Sequence, residues 1–327
     1  MILTQTPLRC SLFGGGTDYP EFFVSNPEGG AILGMAINKY VYAGVQPMHP
    51  GQDLKYRIQY SRMEDCLTVN EIKHPAIRAA LQYYNITEPL EFHGFGDMPG
   101  RAGLGSSSAF CVGVLKALQE HFDLPITTPL ELAGEAIAFE RCLIPETVGC
   151  QDQIFAAVGG INFITFNHTG VRIQPLQLSS QRIEELENSL VLVYTGSMRD
   201  AHVMAAKQVA DVEANRDQLN NLTKLAYAGR NILMWENYPL SLFGGLLDKA
   251  WANKMKLNPD ISNSRIDQLY QHGLVCGATG GKLLGAGGGG FLLFFVPQKN
   301  RRKFETEIGA PTTRFKVSPT GTKRIPL

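Results

Sequence analysis

The apolar positions of this chain follow two rhythms, and the switches between them mark out its elements. Val41 to Val45 and Tyr56 to Tyr60 carry β-branched and aromatic residues between Gly, Pro and polar clusters, which predicts strands. His74 to Tyr84 predicts a short helix, with Pro75 at an early helical position and Ile77, Ala80, Leu81 and Tyr84 on one face. Leu90 to Phe95 predicts a strand, and Ala109 to Phe122 a helix with hardly a polar residue. Thr128-Pro129-Leu130-Glu131 forms a capping box that opens a helix running to about Leu143. Further strands are expected at Ile161 to Phe166, Leu190 to Tyr194 and Phe291 to Val296, the last closed by Pro297; Asp200 to Trp235 reads largely as helix. Strands and helices do not alternate regularly, so the pattern predicts an α+β fold rather than a doubly wound sheet. The polar stretch Leu178 to Asn188 suggests a boundary near residue 185, giving segments 1–185 and 186–327.

Composition narrows the class. A chain of 327 residues with 44% hydrophobic and 18% charged residues can bury an ample core, which excludes a disordered protein. Thirty basic residues balance thirty acidic ones, so no nucleic-acid partner is expected. The six cysteines include no Cys-x-x-Cys pair, which argues against a zinc site or a disulfide framework. Met1 to Gln5 lacks the basic and apolar regions of a signal peptide, and no apolar run reaches membrane-spanning length. A cytoplasmic protein without a membrane partner is expected; a homo-oligomer remains open.

The chemistry is concentrated in Pro99-Gly100-Arg101-Ala102-Gly103-Leu104-Gly105-Ser106-Ser107-Ser108. Glycines let the backbone approach an anion, and the helix that follows aims unpaired N–H groups back at the loop, with any of the serines able to cap it. Partial positive charge and free donors make such an N-terminus an anion site, and the hydroxyls add phosphate donors or a magnesium ligand. A plain glycine turn would account for the glycines but not for the run of serines. No P-loop is present: Gly281-Lys282 is followed by Leu283 where a hydroxyl is required. Gly285 to Gly290 satisfies the dinucleotide spacing, yet it leads into a strand instead of opening a helix, which rejects that reading.

Three acidic positions stand out. Glu140 shares the apolar face of its helix with Ala133, Ala136 and Ile137, so it needs a basic partner or a metal such as Mg2+. Asp152, between Gln151 and Gln153, is either a helix cap or a carboxylate that orients and deprotonates an attacking hydroxyl. Asp18 follows Gly14-Gly15-Gly16-Thr17 and is either a turn-forming residue or an acceptor for sugar hydroxyls. Thr195-Gly196-Ser197-Met198-Arg199, where a strand gives way to a helix, is a candidate anion pocket built on Arg199; a simple helix cap is the other reading.

Together these segments resemble the GHMP kinase family (galactose, homoserine, mevalonate and phosphomevalonate kinases). Pro7-Leu8-Arg9 with Phe13 to Asp18 resembles its first motif, Pro99 to Ser108 its second and Lys282 to Gly290 its third, in order over essentially the whole chain. Within the family, Phe13 to Asp18, Ile37 to Tyr42, Gly103 to Ser108, Gln151 to Gln153 and Lys282 to Gly290 are most similar to kinases of D-glycero-D-manno-heptose 7-phosphate. Gly15-Gly16-Thr17 stands where galactokinases carry Gly-Glu-His, which counts against galactose.

The resemblance implies an N-terminal domain like ribosomal protein S5 domain 2, a ferredoxin-like C-terminal domain, and transfer of the γ-phosphoryl of MgATP to the anomeric O1 of the heptose phosphate. It implies that Asp152 is the catalytic base and that Arg9 stabilises the transferring phosphoryl. Pro99, Gly100, Gly103, Leu104, Gly105, Ser106, Ser107 and Ser108 would surround ATP, with Ser107 and Glu140 holding Mg2+. Gly15, Gly16, Thr17, Asp18, Thr195, Gly196, Arg199, Gly287 and Gly288 would face the sugar. A kinase for fucose or unphosphorylated heptose is the nearest alternative. A silent sugar sensor is disfavoured by the presence of Asp152, Glu140 and Ser107.

Overall fold

A computed structural model describes residues 1–125, 127–197 and 201–326, with the side chains of 201–203 excluded. The chain opens with β1 (Ile2–Phe13), α1 (Pro20–Phe23) and the long β2 (Gly30–Pro47), followed by β3 (Tyr56–Gln59), β4 (Met63–Cys66), α2 (Pro75–Tyr83) and β5 (Leu90–Gly96). Then come α3 (Ser106–His121), α4 (Pro129–Leu143), α5 (Gln151–Val158), β6 (Ile161–Asn167) and β7 (Gly170–Pro175). The remainder holds α6 (Ser180–Ser189), β8 (Leu190–Tyr194), α7 (Ala201–Ala210), α8 (Arg216–Met234), α9 (Leu242–Met255) and α10 (Ser264–Val275). It closes with β9 (Gly280–Leu283), β10 (Phe291–Phe295), α11 (Arg301–Glu307), β11 (Thr312–Thr313) and β12 (Lys323–Ile325).

Two sheets result, in the expected α+β arrangement. The larger runs β12-β1-β2-β5-β3-β4, with β6 attached along β2 and β7 paired to β6; the smaller runs β11-β8-β10-β9. β2 is much longer than the Val41 to Val45 strand expected, because its two halves serve different neighbours: Gly30 to Met35 pairs with β6, and Val41 to Pro47 with β5. Between them the β1–β2 register slips at Pro7/Leu8. A proline cannot donate to the ladder, and a slip of this kind bends the strand locally, here one residue before Arg9. β12 brings the C-terminal end of the chain back onto the edge of β1.

The apolar helix α3 lies against β1, where Gly113 is needed: a Cβ there would come within 2.8 Å of Thr6 Oγ1. Thr4 Oγ1 is shared between the Gly113 carbonyl at 3.0 Å and the Ala43 carbonyl at 3.2 Å, which ties α3 to the β1–β2 pair and keeps a buried hydroxyl partnered. α8 packs on β2 and β1, its Gly229 closing onto the ring of Phe13, and Phe13 meets Phe243 of α9 edge-to-face at 5.0 Å, with Phe243 in turn 6.1 Å from Phe295 of β10. The two sheets are thereby joined through packed rings. No helix among the described residues is long and apolar enough to cross a membrane.

Candidate active site

The serine loop delivers more free donors than the sequence suggests. α3 begins at Ser106, three residues earlier than expected, and its N-cap is Gly105 in the left-handed region at φ 74°, with no side-chain cap. The expectation that a serine would cap the helix is therefore corrected: the serines form its first turn, and their hydroxyls are directed elsewhere. Ser106 Oγ accepts from the Arg101 N–H at 3.3 Å, Ser107 is exposed, and Ser108 is buried. A Cβ on Gly105 would lie 3.0 Å from Arg9 Cγ and 3.1 Å from Asp152 Oδ2. Glycine there lets the helix terminus press against that charged pair.

α5 ties the site together. Adjacent residues on a helix point about 100° apart, so Gln151, Asp152 and Gln153 reach in three directions. Asp152 is not a cap; Cys150 holds that place without a side-chain bond. Its carboxylate receives a two-pronged contact from Arg9, Nε to Oδ1 at 2.7 Å and Nη2 to Oδ2 at 2.9 Å. Charge-assisted forks of this kind fix orientation as well as charge. Arg9 is also held by its N–H on the Leu104 carbonyl and by Nη1 on the Gly103 carbonyl.

Gln151 reaches the other way, donating through Nε2 to Asp18 Oδ1 at 3.0 Å and through its N–H to Oδ2 at 3.1 Å. Asp18 also accepts from the Gly16 N–H at 3.3 Å, and Gly149 must lack a Cβ because one would fall 2.1 Å from Asp18 Oδ2. Burial, and then the nearby Asp152 charge, push the Asp18 carboxyl above its usual range. Thr17 does not face the cleft, since its hydroxyl donates to the Ala31 carbonyl and accepts from the Ala31 N–H.

Gln153 donates to Glu140 Oε2, and Ser108 and Cys111 also hydrogen-bond that carboxyl. Glu140 is 1% exposed, and among the described residues no basic side chain pairs with it. Neighbouring Arg141 instead meets Glu21 and the Val148 carbonyl, so the ion-pair reading of Glu140 fails. Burial pushes its carboxyl up to about 7, with only neutral donors holding it down. A buried oxygen donor next to serine hydroxyls fits a hard divalent cation.

The third glycine segment connects β9 to β10, two antiparallel neighbours, as a loop between strands. A Cβ on Gly285 would come 2.5 Å from Gly103 Cα, and one on Gly290 would come 2.4 Å from the Ala102 carbonyl oxygen. Gly287 and Gly288 face Ile261 instead, and Gly288 donates its N–H to the Ile261 carbonyl. Thr195 Oγ1 is taken up by the Gly290 carbonyl at 2.9 Å. Gly196 turns at φ 73° directly against the Arg265 guanidinium, a cation from α10 that local sequence did not single out. Arg199 lies outside the described residues. Leu104 is core, while Pro99 and Gly100 are exposed at the loop's outer edge.

Two buried lysines were also not anticipated in these roles. Lys282 Nζ donates to the Ser11 and Leu12 carbonyls at 3.0 and 3.2 Å, and Lys254 Nζ to those of Leu283 and Gly285. Burial pushes Lys282 down to about 8 and Lys254 well below the usual lysine range. Both cross-link the loops around Arg9 through carbonyl oxygens, a use that no local pattern announces.

A helix terminus beside an Arg–Asp fork and a buried carboxylate held by neutral donors is suited to an anion and a hard cation. Residues 70–160 match the family described as GHMP kinases N terminal domain. The chain is 30% identical over 311 residues to a D-glycero-alpha-D-manno-heptose 7-phosphate kinase of Campylobacter jejuni, covering 90% of this chain and 89% of the relative. It belongs to the GHMP kinase family and is a kinase with an alcohol acceptor. It is also 30% identical over 332 residues to a bifunctional fucokinase/GDP-fucose pyrophosphorylase of Arabidopsis thaliana, covering 91% of this chain and 30% of that protein. Among solved structures, a D-glycero-D-manno-heptose 1-phosphate kinase from Bacteriodes thetaiotaomicron superposes with a TM-score of 0.80 at 23% identity, over 100% of this chain and 99% of that one.

Proposed function

We propose that this kinase transfers the γ-phosphoryl of MgATP to the anomeric O1 of D-glycero-D-manno-heptose 7-phosphate, giving the 1,7-bisphosphate. The observation that carries the reading is the Arg9–Asp152 fork beneath Gly105, at the α3 terminus; in this reading the acceptor hydroxyl would meet the phosphate there. In this reading Asp152 accepts or orients the hydroxyl proton, and Arg9 spreads its charge over the transferring group. The first-turn amides and Ser106 to Ser108 bind the phosphate oxygens, while Asp18, fixed by Gln151, holds the sugar. Glu140 and the serine hydroxyls, Ser107 among them, would hold Mg2+, which neutralises phosphate charge when bound.

The 7-phosphate is assigned to the turn after β8, where Gly196 meets Arg265 and where Arg199 falls in sequence. The same reading divides the chain near residue 185, with β12 crossing back. Similarity to the bifunctional fucokinase/GDP-fucose pyrophosphorylase of the plant favours fucose as the second reading.

The test is ADP release with MgATP over heptose 7-phosphate, heptose, mannose, fucose, galactose and mevalonate. Selective turnover of heptose 7-phosphate is expected, with Asp152→Asn lowering kcat by about 10²–10⁴-fold. Turnover of fucose or free heptose alone would keep the kinase and remove the phosphate assignment. Asp152→Asn retaining near-full activity would remove Asp152 from the chemistry.

A further inference from the structure

Among the described residues, three buried polar atoms near the Asp18 turn have no hydrogen-bond partner: Ser11 Oγ, Gln151 Oε1 and Gln208 Nε2. They come from β1, α5 and α7, and their residues are 4%, 8% and 6% exposed. Most buried polar groups in folded proteins are paired, and leaving one unpaired costs stability. Three such orphans on one wall therefore call for a common explanation.

The geometry ties them to one place. The spot a Cβ would take on Gly16 lies 2.1 Å from Gln208 Nε2, and the spot on Gly15 lies 3.4 Å from Ser11 Oγ. Gly16 in turn donates to Asp18, the carboxylate that Gln151 grips with the other end of its amide. The loop Gly14-Gly15-Gly16-Thr17 is thus edged by an amide from the C-terminal half of the chain and a hydroxyl from the N-terminal strand. These orphans are neutral groups. They match a polyol, whose hydroxyls both donate and accept, better than an acceptor carrying a carboxylate or a methyl beside its alcohol.

We propose that Gln208 is a specificity-determining residue for the acceptor, its side-chain amide donating to a sugar hydroxyl that Ser11 and Gln151 also contact. This rests on the sugar-kinase reading above and extends it to a residue that none of the three motifs contains.

The test compares wild type with Gln208→Leu, which removes the amide while keeping its bulk. The expected result is an acceptor KM raised about tenfold or more, an unchanged KM for ATP, and a melting temperature no lower than that of wild type. A deoxy sugar lacking the contacted hydroxyl should lose as much on wild type and little more on the variant. Unchanged acceptor KM with a raised melting temperature would mean the amide is only an unpaired or water-bonded core group, and would overturn the proposal. Should Gln208→Leu fold poorly, Gln208→Glu, which replaces the donor with an acceptor, carries the same expectation. Turnover of mevalonate and of no sugar by wild type would overturn both readings; sugar turnover with no KM response in either variant would overturn this one alone.

Discussion

The two glycine-rich loops look alike in sequence and do opposite work. In Pro99 to Gly105 the glycines keep side chains away from a helix terminus: nothing lies within 4 Å of a Cβ placed on Gly100, and the one on Gly105 would crowd Arg9 and Asp152. In Gly285 to Gly290 the glycines let main chain touch main chain, with Gly285 on Gly103 and Gly290 on Ala102. The first loop keeps an open edge at Gly100 while its Gly103, 2.6 Å from the Leu284 carbonyl oxygen at the Cβ position, and its Gly105 are packed; the second loop uses up space throughout to hold the first in place. A glycine count cannot separate these uses. The element that follows can, because a helix offers unpaired N–H groups and a paired strand does not.

Four substitutions or titrations would break or sharpen that contrast. Gly285→Ala should be the most damaging, because a left-handed residue gains a Cβ against Gly103 backbone; a loss of about 2–4 kcal/mol in stability is expected from strain plus overpacking. Chemical denaturation measures it, and a loss under about 1 kcal/mol would show that the loops are not in register-critical contact. Next is Lys282, whose folded pKa of about 8 lies below the ordinary 10.5. The unfolded chain then binds more protons between those values, so this lysine makes stability rise with pH there, by at most about 1.4 kcal/mol per unit. Denaturation at about pH 8 and 9.5 should show that positive slope in wild type relative to Lys282→Met; equal slopes would show that burial does not weaken the hold of Lys282 on its proton.

Gly105→Ala should cost about 1 kcal/mol of stability, with kcat falling about tenfold as the new Cβ displaces the Arg9–Asp152 fork. Steady-state kinetics separates the two effects, and a kcat equal to that of wild type would detach the fork from catalysis. Gly100→Ala should be the mildest, within about 0.5 kcal/mol in melting experiments and about twofold in kcat/KM. A large effect there would mean ATP approaches the backbone at Gly100 more closely than the exposed edge suggests.

Much was legible from the residues in order. The apolar run after the serines, the Thr128–Glu131 capping box and the strand at Leu190 to Tyr194 are local signals, and the structure bears all three out. The position of Glu140 on an apolar face was legible too, since helical periodicity alone puts it there. The length of β2 was not, because strand ends depend on which neighbours supply hydrogen bonds, and those come from remote β5 and β6. The serines were misread as caps for a related reason. Capping propensity is local, but the helix start was set by the close approach of Gly105 to Arg9 and Asp152, one from β1 and the other from α5.

The sequence by itself determined the element pattern, the glycine- and serine-rich helix terminus suited to an anion and the carboxylates out of keeping with a core. Those follow from period, turn chemistry and the cost of burying charge, all properties of neighbouring residues. Only the tertiary structure decided who partners whom. It set Asp152 on Arg9 rather than at a cap, Glu140 among neutral donors rather than on a base, and Lys254 and Lys282 on carbonyl oxygens. Such pairings join residues far apart in the chain, and their energies depend on burial and distance, neither of which exists until the chain has folded.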